Sequence, residues 1–335
     1  MLEFYKTPLT ANLIITRNCN GNCIFCGVEH KSNFFEIEKK IDKIKRIIDI
    51  LYENDILRIN FFGGEPMIYP DIIEAVKYAK EKGFYTTLIT NGILWSSKND
   101  EMKNYLDGIA VSVHGNKESH IRLTRTNDTV YNLVLKHIKK ISDLKIPLTL
   151  NMTVTAQNYL DIPDFVENLL NNYNISGFAF NRYISNPELP DDINNSLLMN
   201  KQKLNKSLEL IDELSKKYKN VNFKYAIHFP LCIVQNRNLL KYVGCCGFAQ
   251  NYISVDCDGN IQPCSYMYET IGNLFEDNLE DVWKNSELLK EYRKLEWLPN
   301  DCKQCELFEN CYAGCKETRN DVFSYDILLD EVHDV

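Results

Sequence analysis

Short apolar runs alternate with amphipathic stretches from residue 11 to about residue 230. The runs predict strands at Leu13–Ile15, Leu57–Phe62, Tyr85–Ile89, Ile109–Val113, Pro147–Val154 and Gly177–Asn181. Between the first two, apolar residues recur at the period of a helix that buries one face, namely Ile37, Ile41, Ile44, Ile48 and Leu51. Strands that alternate with helices favour a parallel sheet, so the pattern predicts an α/β fold.

Turn and loop residues punctuate this pattern. Gly83 is expected to end a second helix, which the apolar spacing from Ile72 to Ala79 predicts. The stretch Ser185–Asn195, rich in Pro, Asp and Asn, predicts a surface loop before a long helix near residues 197–218.

The pattern changes after Pro230. Helical periodicity shrinks to one clear segment, Asn278–Leu295, while most of the twelve cysteines lie in this last part of the chain. We therefore predict one domain over residues 1–230 and a small second domain over residues 231–335. Bound metal, more than a large apolar core, is expected to hold the second domain together.

Composition and charge narrow the class of protein. The 335 residues are 44% hydrophobic and 25% charged, which is ordinary for a soluble globular chain. No apolar run approaches the roughly 18 residues of a membrane span, and the N-terminus lacks the layout of a signal peptide. We expect a cytoplasmic protein, in which clustered cysteines bind metal more often than they form disulfides. The formal charge of −8, without a basic stripe, argues against nucleic acid and would favour a basic partner.

The first cluster of cysteines has the spacing Cys-x3-Cys-x2-Cys, formed by Cys19, Cys23 and Cys26. Three thiolates within eight residues can hold three corners of a 4Fe–4S cube and leave one iron without a protein ligand. The open iron suggests that another molecule binds there. Zinc held by three cysteines and water is the alternative, although structural zinc sites usually close with four protein ligands.

This spacing, the aromatic Phe25 before the last cysteine and the position after a first strand resemble the radical S-adenosylmethionine (SAM) enzymes. In that family the open iron chelates the amino and carboxylate groups of SAM. One electron, from a flavodoxin- or ferredoxin-type donor, then splits SAM into methionine and a 5′-deoxyadenosyl radical that abstracts hydrogen from the substrate. The resemblance implies a partial (β/α)6 barrel, whose chemistry lies at the C-terminal ends of the strands.

Further motifs match the SAM-binding residues of the family in order. The turn after the second strand, Gly63, Gly64, Glu65 and Pro66, resembles the one that receives the SAM ammonium. The resemblance also implies contacts from Thr90 and Asn91, from Ser112, from Arg122 or Arg125 to the SAM carboxylate, and from Asn151 on the next strand. The family often has Asp where this chain has His114.

The second group of cysteines resembles the SPASM extension of radical SAM enzymes, which carries up to two auxiliary 4Fe–4S clusters. Its spacing is Cys302-x2-Cys305-x5-Cys311-x3-Cys315, preceded by Cys246 and by Gly259-x4-Cys264. The resemblance implies a first auxiliary cluster on Cys246, Cys264 and Cys315, with Cys232 or Cys245 as its fourth ligand. A zinc ribbon over Cys302–Cys315 is the alternative, but it does not explain Gly259-x4-Cys264.

The implied second auxiliary cluster takes Cys302, Cys305 and Cys311 and lacks the cysteine that the family usually supplies near the C-terminus. The replacement is expected among Asp321, Asp326, Asp330 and His333, with His333 favoured, or the site is open. This assignment leaves Cys257 and one of Cys232 and Cys245 without a role. Each is either an inert small hydrophobe or a catalytic hydrogen donor to a substrate radical.

The leading hypothesis for function is a radical SAM enzyme that crosslinks or epimerises a ribosomally made precursor peptide. The alternatives are a small-molecule oxidoreductase or epimerase, a sulfatase-maturing peptide oxidase and an iron–sulfur electron carrier. Ser265 stands where sulfatase-maturing enzymes carry Asp, and a carrier needs no SAM-binding turn. Because only 18 residues precede Cys19, a peptide is expected to bind the barrel mouth directly or to arrive with a separate recognition protein.

Overall fold

One sheet organises the molecule. The computed structural model describes residues 1–27, 41–186, 189–267, 269–319, 321 and 323–331. The strands found there are β1 (Thr10–Thr16), β2 (Arg58–Gly63), β3 (Tyr85–Thr90), β4 (Gly108–Ser112), β5 (Leu148–Val154), β6 (Gly177–Arg182), β7 (Asn222–Tyr225), β8 (Tyr252–Asp256), β9 (Asn260–Gln262) and β10 (Gly272–Asn273). Their order is β10-β9-β8-β1-β2-β3-β4-β5-β6-β7. All neighbours from β8 to β7 are parallel, whereas β8, β9 and β10 pair antiparallel.

Helices cover the sheet and alternate with its strands. They are α1 (Ile41–Glu53), α2 (Ile72–Glu81), α3 (Lys117–Thr124), α4 (Asp128–Asp143), α5 (Ile162–Leu170), α6 (Asp191–Leu197), α7 (Lys201–Lys217), α8 (Leu279–Asn285), α9 (Glu287–Lys294), α10 (Asn300–Lys303) and α11 (Phe308–Cys311). The long ones bury a single apolar face, as α1 does with Ile44, Ile47, Ile48 and Leu51. These faces meet fully buried strand residues such as Leu13, Phe61 and Leu150.

The predicted α/β architecture is confirmed. Each of the six predicted strands is present, with ends that differ by a few residues at most. The predicted second helix is α2, and Gly83 follows it with a φ of 100° that favours glycine. The sequence did not reveal β7, because in this short strand only Phe223 and Tyr225 are buried.

Two predicted elements differ from the structure. The expected helix Asn278–Leu295 is broken into α8 and α9 by Ser286, whose ψ of 128° is extended. The expected loop Ser185–Asn195 overlaps α6, which begins directly after Pro190. Two aspartates in the first turn of α6 favour a helix start there, since they complement the positive end of the helix dipole.

The C-terminal part of the chain continues the sheet of the N-terminal part. Strand β8 pairs with β1 from Thr10↔Tyr252 to Ile14↔Asp256. At the same end, Nη2 of Arg17 lies 2.6 Å from Oδ2 of the buried Asp256. The boundary near residue 230 stays a prediction, because the sheet runs across it. No helix in the described ranges is long and apolar enough to cross a membrane.

Candidate active site

A cavity of about 190 Å³ opens at the C-terminal ends of the strands. Cys19, Cys23 and Cys26 line it together. Of the other residues predicted from the sequence, the cavity is also lined by Gly63, Gly64, Glu65, Thr90, Asn91, Ser112 and Asn151. Pro66 lies just outside, where it begins a short 3₁₀ helix. The structure thus brings together predicted residues that five different segments of the sequence contribute.

The loop with the three cysteines is held by neighbours on both sides. Its Ile24 N–H donates to the carbonyl of Leu123 at 2.9 Å, and the side-chain amide of Asn186 donates to the carbonyl of Cys26 at 2.7 Å. Burial, and then the nearby thiols of Cys26 and Cys19, raise the pKa of Cys23. The three sulfurs therefore lie within electrostatic reach of one another, and metal binding at this loop must displace protons.

The glycine turn packs tightly against the segment that leads to Cys19. Gly64 N–H donates to the carbonyl of Thr16 at 2.9 Å, and Glu65 N–H donates to that of Asn18 at 2.8 Å. A Cβ on Gly64 would lie 2.3 Å from the Asn18 carbonyl oxygen, and one on Gly63 would lie 2.3 Å from that of Thr16. Only glycine permits this approach, so the turn and the cysteine loop form one wall of the cavity.

The carboxylate of Glu65 is buried and fully engaged. One oxygen accepts hydrogen bonds from Met67 N–H at 3.0 Å and Thr90 Oγ1 at 2.7 Å, and the other accepts one from Asn91 N–H at 2.7 Å. Burial raises the pKa of Glu65, while these three donors lower it. The side chain therefore ties the end of β2 to the end of β3. A direct contact between this carboxylate and a SAM ammonium stays a prediction.

Two buried histidines line the cavity near the cysteine loop, His114 after β4 and His120 on α3. Nδ1 of His114 accepts a hydrogen bond from Thr153 N–H at 3.0 Å, and Nδ1 of His120 accepts one from His114 N–H at 3.2 Å. Burial lowers the pKa of both, that of His120 to about 4. Both rings are therefore neutral near pH 7, with the proton on Nε2. The ring of Phe25 packs against His114 with centroids 4.4 Å apart.

The arginines expected to meet the SAM carboxylate do not line the cavity. Arg122 donates to Ser119 Oγ and to the carbonyl of Gln157, both at 3.3 Å, and Arg125 caps the end of α3. Arg182, at the end of β6, lines the cavity instead. Its Nη1 lies 3.1 Å from Oδ1 of Asp326, and both side chains are buried. A single Arg at a strand end carries no motif, which is why sequence reasoning missed it.

The C-terminal cysteines form one set around Cys246, Cys264 and Cys315. Burial raises the pKa of Cys246 to about 11 and those of Cys264 and Cys315 to about 12, with contributions from one another. Cys245 adds to the shift at Cys246. Tyr266 lies between this set and the N-terminal loop, since Cys26, Cys264 and Cys315 all contribute to the rise of its pKa.

The second C-terminal set contains Cys302, Cys305 and Cys311. Burial, Cys311 and Cys305 raise the pKa of Cys302 to about 11. Cys232, expected as a fourth ligand in the first set or as a catalytic thiol, lies with these three instead. Cys257 lies beside Asp256 and Asp258 and is not among the described residues that line the cavity, so its role as a hydrogen donor stays a prediction.

The tail residues expected to complete the second set have other partners or lie outside the described residues. Asp326 pairs with Arg182, and Asp330 pairs with Arg319. Asp321 accepts a hydrogen bond from Phe323 N–H at 2.9 Å. His333 lies outside the described residues.

No three His, Cys, Asp or Glu side chains of the described residues converge closely enough to hold a single metal ion. Iron–sulfur cubes do not require such convergence, because each thiolate binds a different iron. The donor sets fit clusters chemically, since thiolates are the ordinary ligands of iron–sulfur cubes.

A larger groove of about 660 Å³ adjoins the cavity, and both are lined by Gly27, Ile184 and Tyr266. Its walls are apolar at Met267, Leu288 and Phe323, and five acidic residues line it: Glu269, Glu287, Glu291, Glu317 and Asp321. No Lys or Arg is among its described lining residues. Burial raises the pKa of Glu317 to about 7.

Comparison with known proteins agrees with both halves of the site. Residues 13–169 match the model of the radical SAM superfamily, and residues 245–306 match that of an iron–sulfur cluster-binding domain, SPASM. The chain therefore carries a radical SAM domain and a SPASM domain, as its cysteine motifs predicted. Such domains imply iron–sulfur clusters and SAM as cofactors.

Curated relatives and solved structures are similar over nearly the whole chain. A PqqA peptide cyclase of Bradyrhizobium diazoefficiens is 24% identical, over 94% of this chain and 83% of that protein. One of Granulibacter bethesdensis is 25% identical, over 93% and 83%. Streptococcus suis SuiB bound to precursor peptide SuiA aligns with a TM-score of 0.76 and 20% identity, over 97% of this chain and 76% of that one. Native anSMEcpe with bound AdoMet aligns with a TM-score of 0.74 and 16% identity, over 97% and 95%.

Proposed function

We propose that this protein is a radical SAM enzyme that modifies a precursor peptide. The observation that carries the proposal is the junction, at Gly27, Ile184 and Tyr266, between the cavity with three cysteines and the open groove of about 660 Å³. An extended chain can lie in such a groove and present one residue to the cavity. The relatives named as peptide cyclases, and the fold shared with SuiB, support a peptide as substrate.

Cys19, Cys23 and Cys26 would hold a 4Fe–4S cluster with one iron open for SAM. When bound and reduced by a flavodoxin- or ferredoxin-type donor, that cluster supplies the electron for SAM cleavage. The fit rests on three thiols that line one cavity. They lie beside the turn at Gly63 and Gly64, where the backbone carries no side chains. Asn151 and Ser112 offer polar side chains on the facing strands.

The groove favours a substrate segment with a basic residue flanked by apolar ones. Five acidic side chains and no Lys or Arg are among the described residues that line the groove, so a cation entering it meets a surplus of acidic groups. The exposed ring of Phe323 offers apolar contact at the same place. The acidic net charge of the chain agrees with this preference.

The remaining assignments follow from this proposal. The two C-terminal cysteine sets would hold auxiliary 4Fe–4S clusters, and the boundary near residue 230 would separate the catalytic domain from the cluster domain. The protein would lie in the cytoplasm, because thiols stay reduced there. The groove gives the peptide a place to bind the enzyme directly, while delivery by a separate recognition protein is compatible with the same site.

The alternatives receive less support. A sulfatase-maturing oxidase would place a carboxylate where Ser265 stands, and the hydroxyl of Ser265 instead accepts a hydrogen bond from Asn12 at 2.9 Å. A small-molecule oxidoreductase or epimerase would not need a groove that runs to the surface. An iron–sulfur electron carrier would not need the cavity beside the glycine turn.

The test begins with the anaerobically purified holoprotein and SAM. Dithionite reduction should produce 5′-deoxyadenosine, and peptides encoded by short reading frames beside the gene should change in mass or stereochemistry. A matched control replaces the cysteines of the N-terminal loop with Ala. SAM cleavage that accompanies a small molecule but none of these peptides would favour the small-molecule alternative, and no cleavage would contradict the proposal.

A further inference from the structure

Four cysteines of the C-terminal region lie together, although one comes from a distant segment of the chain. Cys302, Cys305 and Cys311 belong to the segment that contains α10 and α11. Cys232 lies far upstream in the 3₁₀ helix Leu231–Ile233. Burial raises the pKa of Cys232 to about 11, and the next contributions come from Cys311, Cys302 and Cys305.

Three contacts fix the segment before Cys232 against Cys311 and the residues that follow it. The backbone N–H of Leu231 donates to Sγ of Cys311 at 3.2 Å, and Nε2 of His228 lies 2.7 Å from the Cys311 carbonyl oxygen. Gly314 packs so closely that a Cβ there would lie 2.6 Å from Cδ of Pro230. The position of Cys232 beside Cys311 therefore follows from the packing of the backbone, not from one side-chain rotamer.

We propose that Cys232 completes the ligand set of the second auxiliary cluster, together with Cys302, Cys305 and Cys311. The inference rests on the proposed function only in that the C-terminal cysteines hold iron–sulfur clusters. Four thiolates satisfy all four irons of a cubane, so this set needs no ligand from the C-terminal tail. The first set then takes Cys245 as its fourth cysteine, and of the twelve cysteines only Cys257 is left outside a set.

This ligand set has a functional consequence. A cluster with four thiolates has no open iron, so it passes electrons rather than binding a substrate group. Its potential is expected below that of a cluster with a carboxylate or imidazole ligand, because a thiolate donates more charge to iron. The engagement of Asp326 with Arg182 agrees with this assignment, because that carboxylate is already paired.

The experiment compares single variants of the full chain, purified and reconstituted without oxygen. Cys232→Ala should lose up to about four irons per chain. It should also lose the electron paramagnetic resonance signal that Cys302→Ala removes and keep the signal that Cys264→Ala removes. Cys257→Ala, the matched cysteine control, and His333→Ala should both retain all irons and signals. These readings need no substrate, so they stand even where no peptide is turned over.

Several results would overturn the assignment. One is full iron content with unchanged signals in Cys232→Ala. Another is loss, in Cys232→Ala, of the signal that Cys264→Ala removes. The third is loss of the second auxiliary signal in His333→Ala. If Cys232→Ala does not fold, Cys232→Ser keeps the volume and replaces the thiol with a hydroxyl. That variant should shift the signal and the potential of the second auxiliary cluster only. An unshifted signal in the folded Ser variant would contradict the proposal.

Discussion

The carboxylate of Glu65 accepts a 2.7 Å hydrogen bond from the backbone N–H of Asn91, the first residue after β3. The same carboxylate binds Thr90 and Met67, so one side chain fixes the relative position of two strand ends. Both strand ends line the cavity. The geometry of this cavity therefore depends on a residue whose side chain is buried within the protein.

Glu65→Gln should weaken both SAM binding and the fold. The amide nitrogen of Gln would face a backbone or hydroxyl donor on one side of the carboxylate position, which leaves a buried group unsatisfied. We expect a loss of roughly 1–3 kcal/mol in the free energy of unfolding and weaker SAM binding, with unchanged iron content. Chemical unfolding and anaerobic equilibrium dialysis measure the two effects. Glu53→Gln, at an exposed position on α1, is the control, and equal SAM affinity in both variants would contradict the prediction.

Replacing Cys19, Cys23 and Cys26 with Ala should remove one cluster and leave the others. We expect roughly four fewer irons per chain, no 5′-deoxyadenosine from SAM, and unchanged resonance signals from the C-terminal sets. The variant should remain folded, because these three cysteines are only partly buried and the core lies elsewhere. Stoichiometric zinc in the anaerobic wild-type protein would refute the cluster assignment, as would retained SAM cleavage in the variant.

The sequence predicted the elements that repeat a pattern. Each strand from β1 to β6 carries an apolar run, and each motif at its C-terminal end could be placed at one edge of the sheet. The partners of Arg182 and Cys232 could not be predicted in this way, because both contacts join segments far apart in the chain. Spacing reveals which cysteines are local neighbours, whereas the proposed place of Cys232 rests on the packing of Leu231 against Cys311.

Breaking the buried pair of Arg182 and Asp326 should destabilise the protein far more than breaking an exposed pair. Asp326→Asn leaves the Arg182 guanidinium buried without its counter-charge, which costs about 3–5 kcal/mol. Asp330→Asn, which breaks the partly exposed pair with Arg319, should cost no more than about 1 kcal/mol. Urea unfolding of the two variants checks this difference. Similar losses would show that the buried pair does not hold the C-terminal region to the barrel.

Asp326→Asn should also perturb the proposed first auxiliary cluster. Oδ2 of Asp326 accepts a hydrogen bond from Cys315 N–H at 2.9 Å, so the carboxylate fixes the backbone that presents Cys315. We expect Asp326→Asn to shift the resonance signal that Cys264→Ala removes and to leave the signal that depends on Cys302 unchanged. The reverse pattern would contradict this placement of Cys315.

The carboxylates of the groove should determine affinity for basic peptides. Glu287 and Glu291 lie one turn apart on α9 and both line the groove, so the double Gln variant removes two negative charges without touching the cysteine sets. A fluorescent peptide with one Lys between apolar residues should bind this variant several-fold more weakly, since exposed charge pairs contribute about 0.2–1 kcal/mol each. The difference should shrink in high salt. Glu213→Gln, exposed on α7 and outside the groove, should bind the Lys peptide as the wild type does. An otherwise identical peptide with norleucine in place of Lys should bind the wild type and the double variant equally. Equal Lys-peptide affinity in the wild type and the double variant would show that the groove does not select a basic segment.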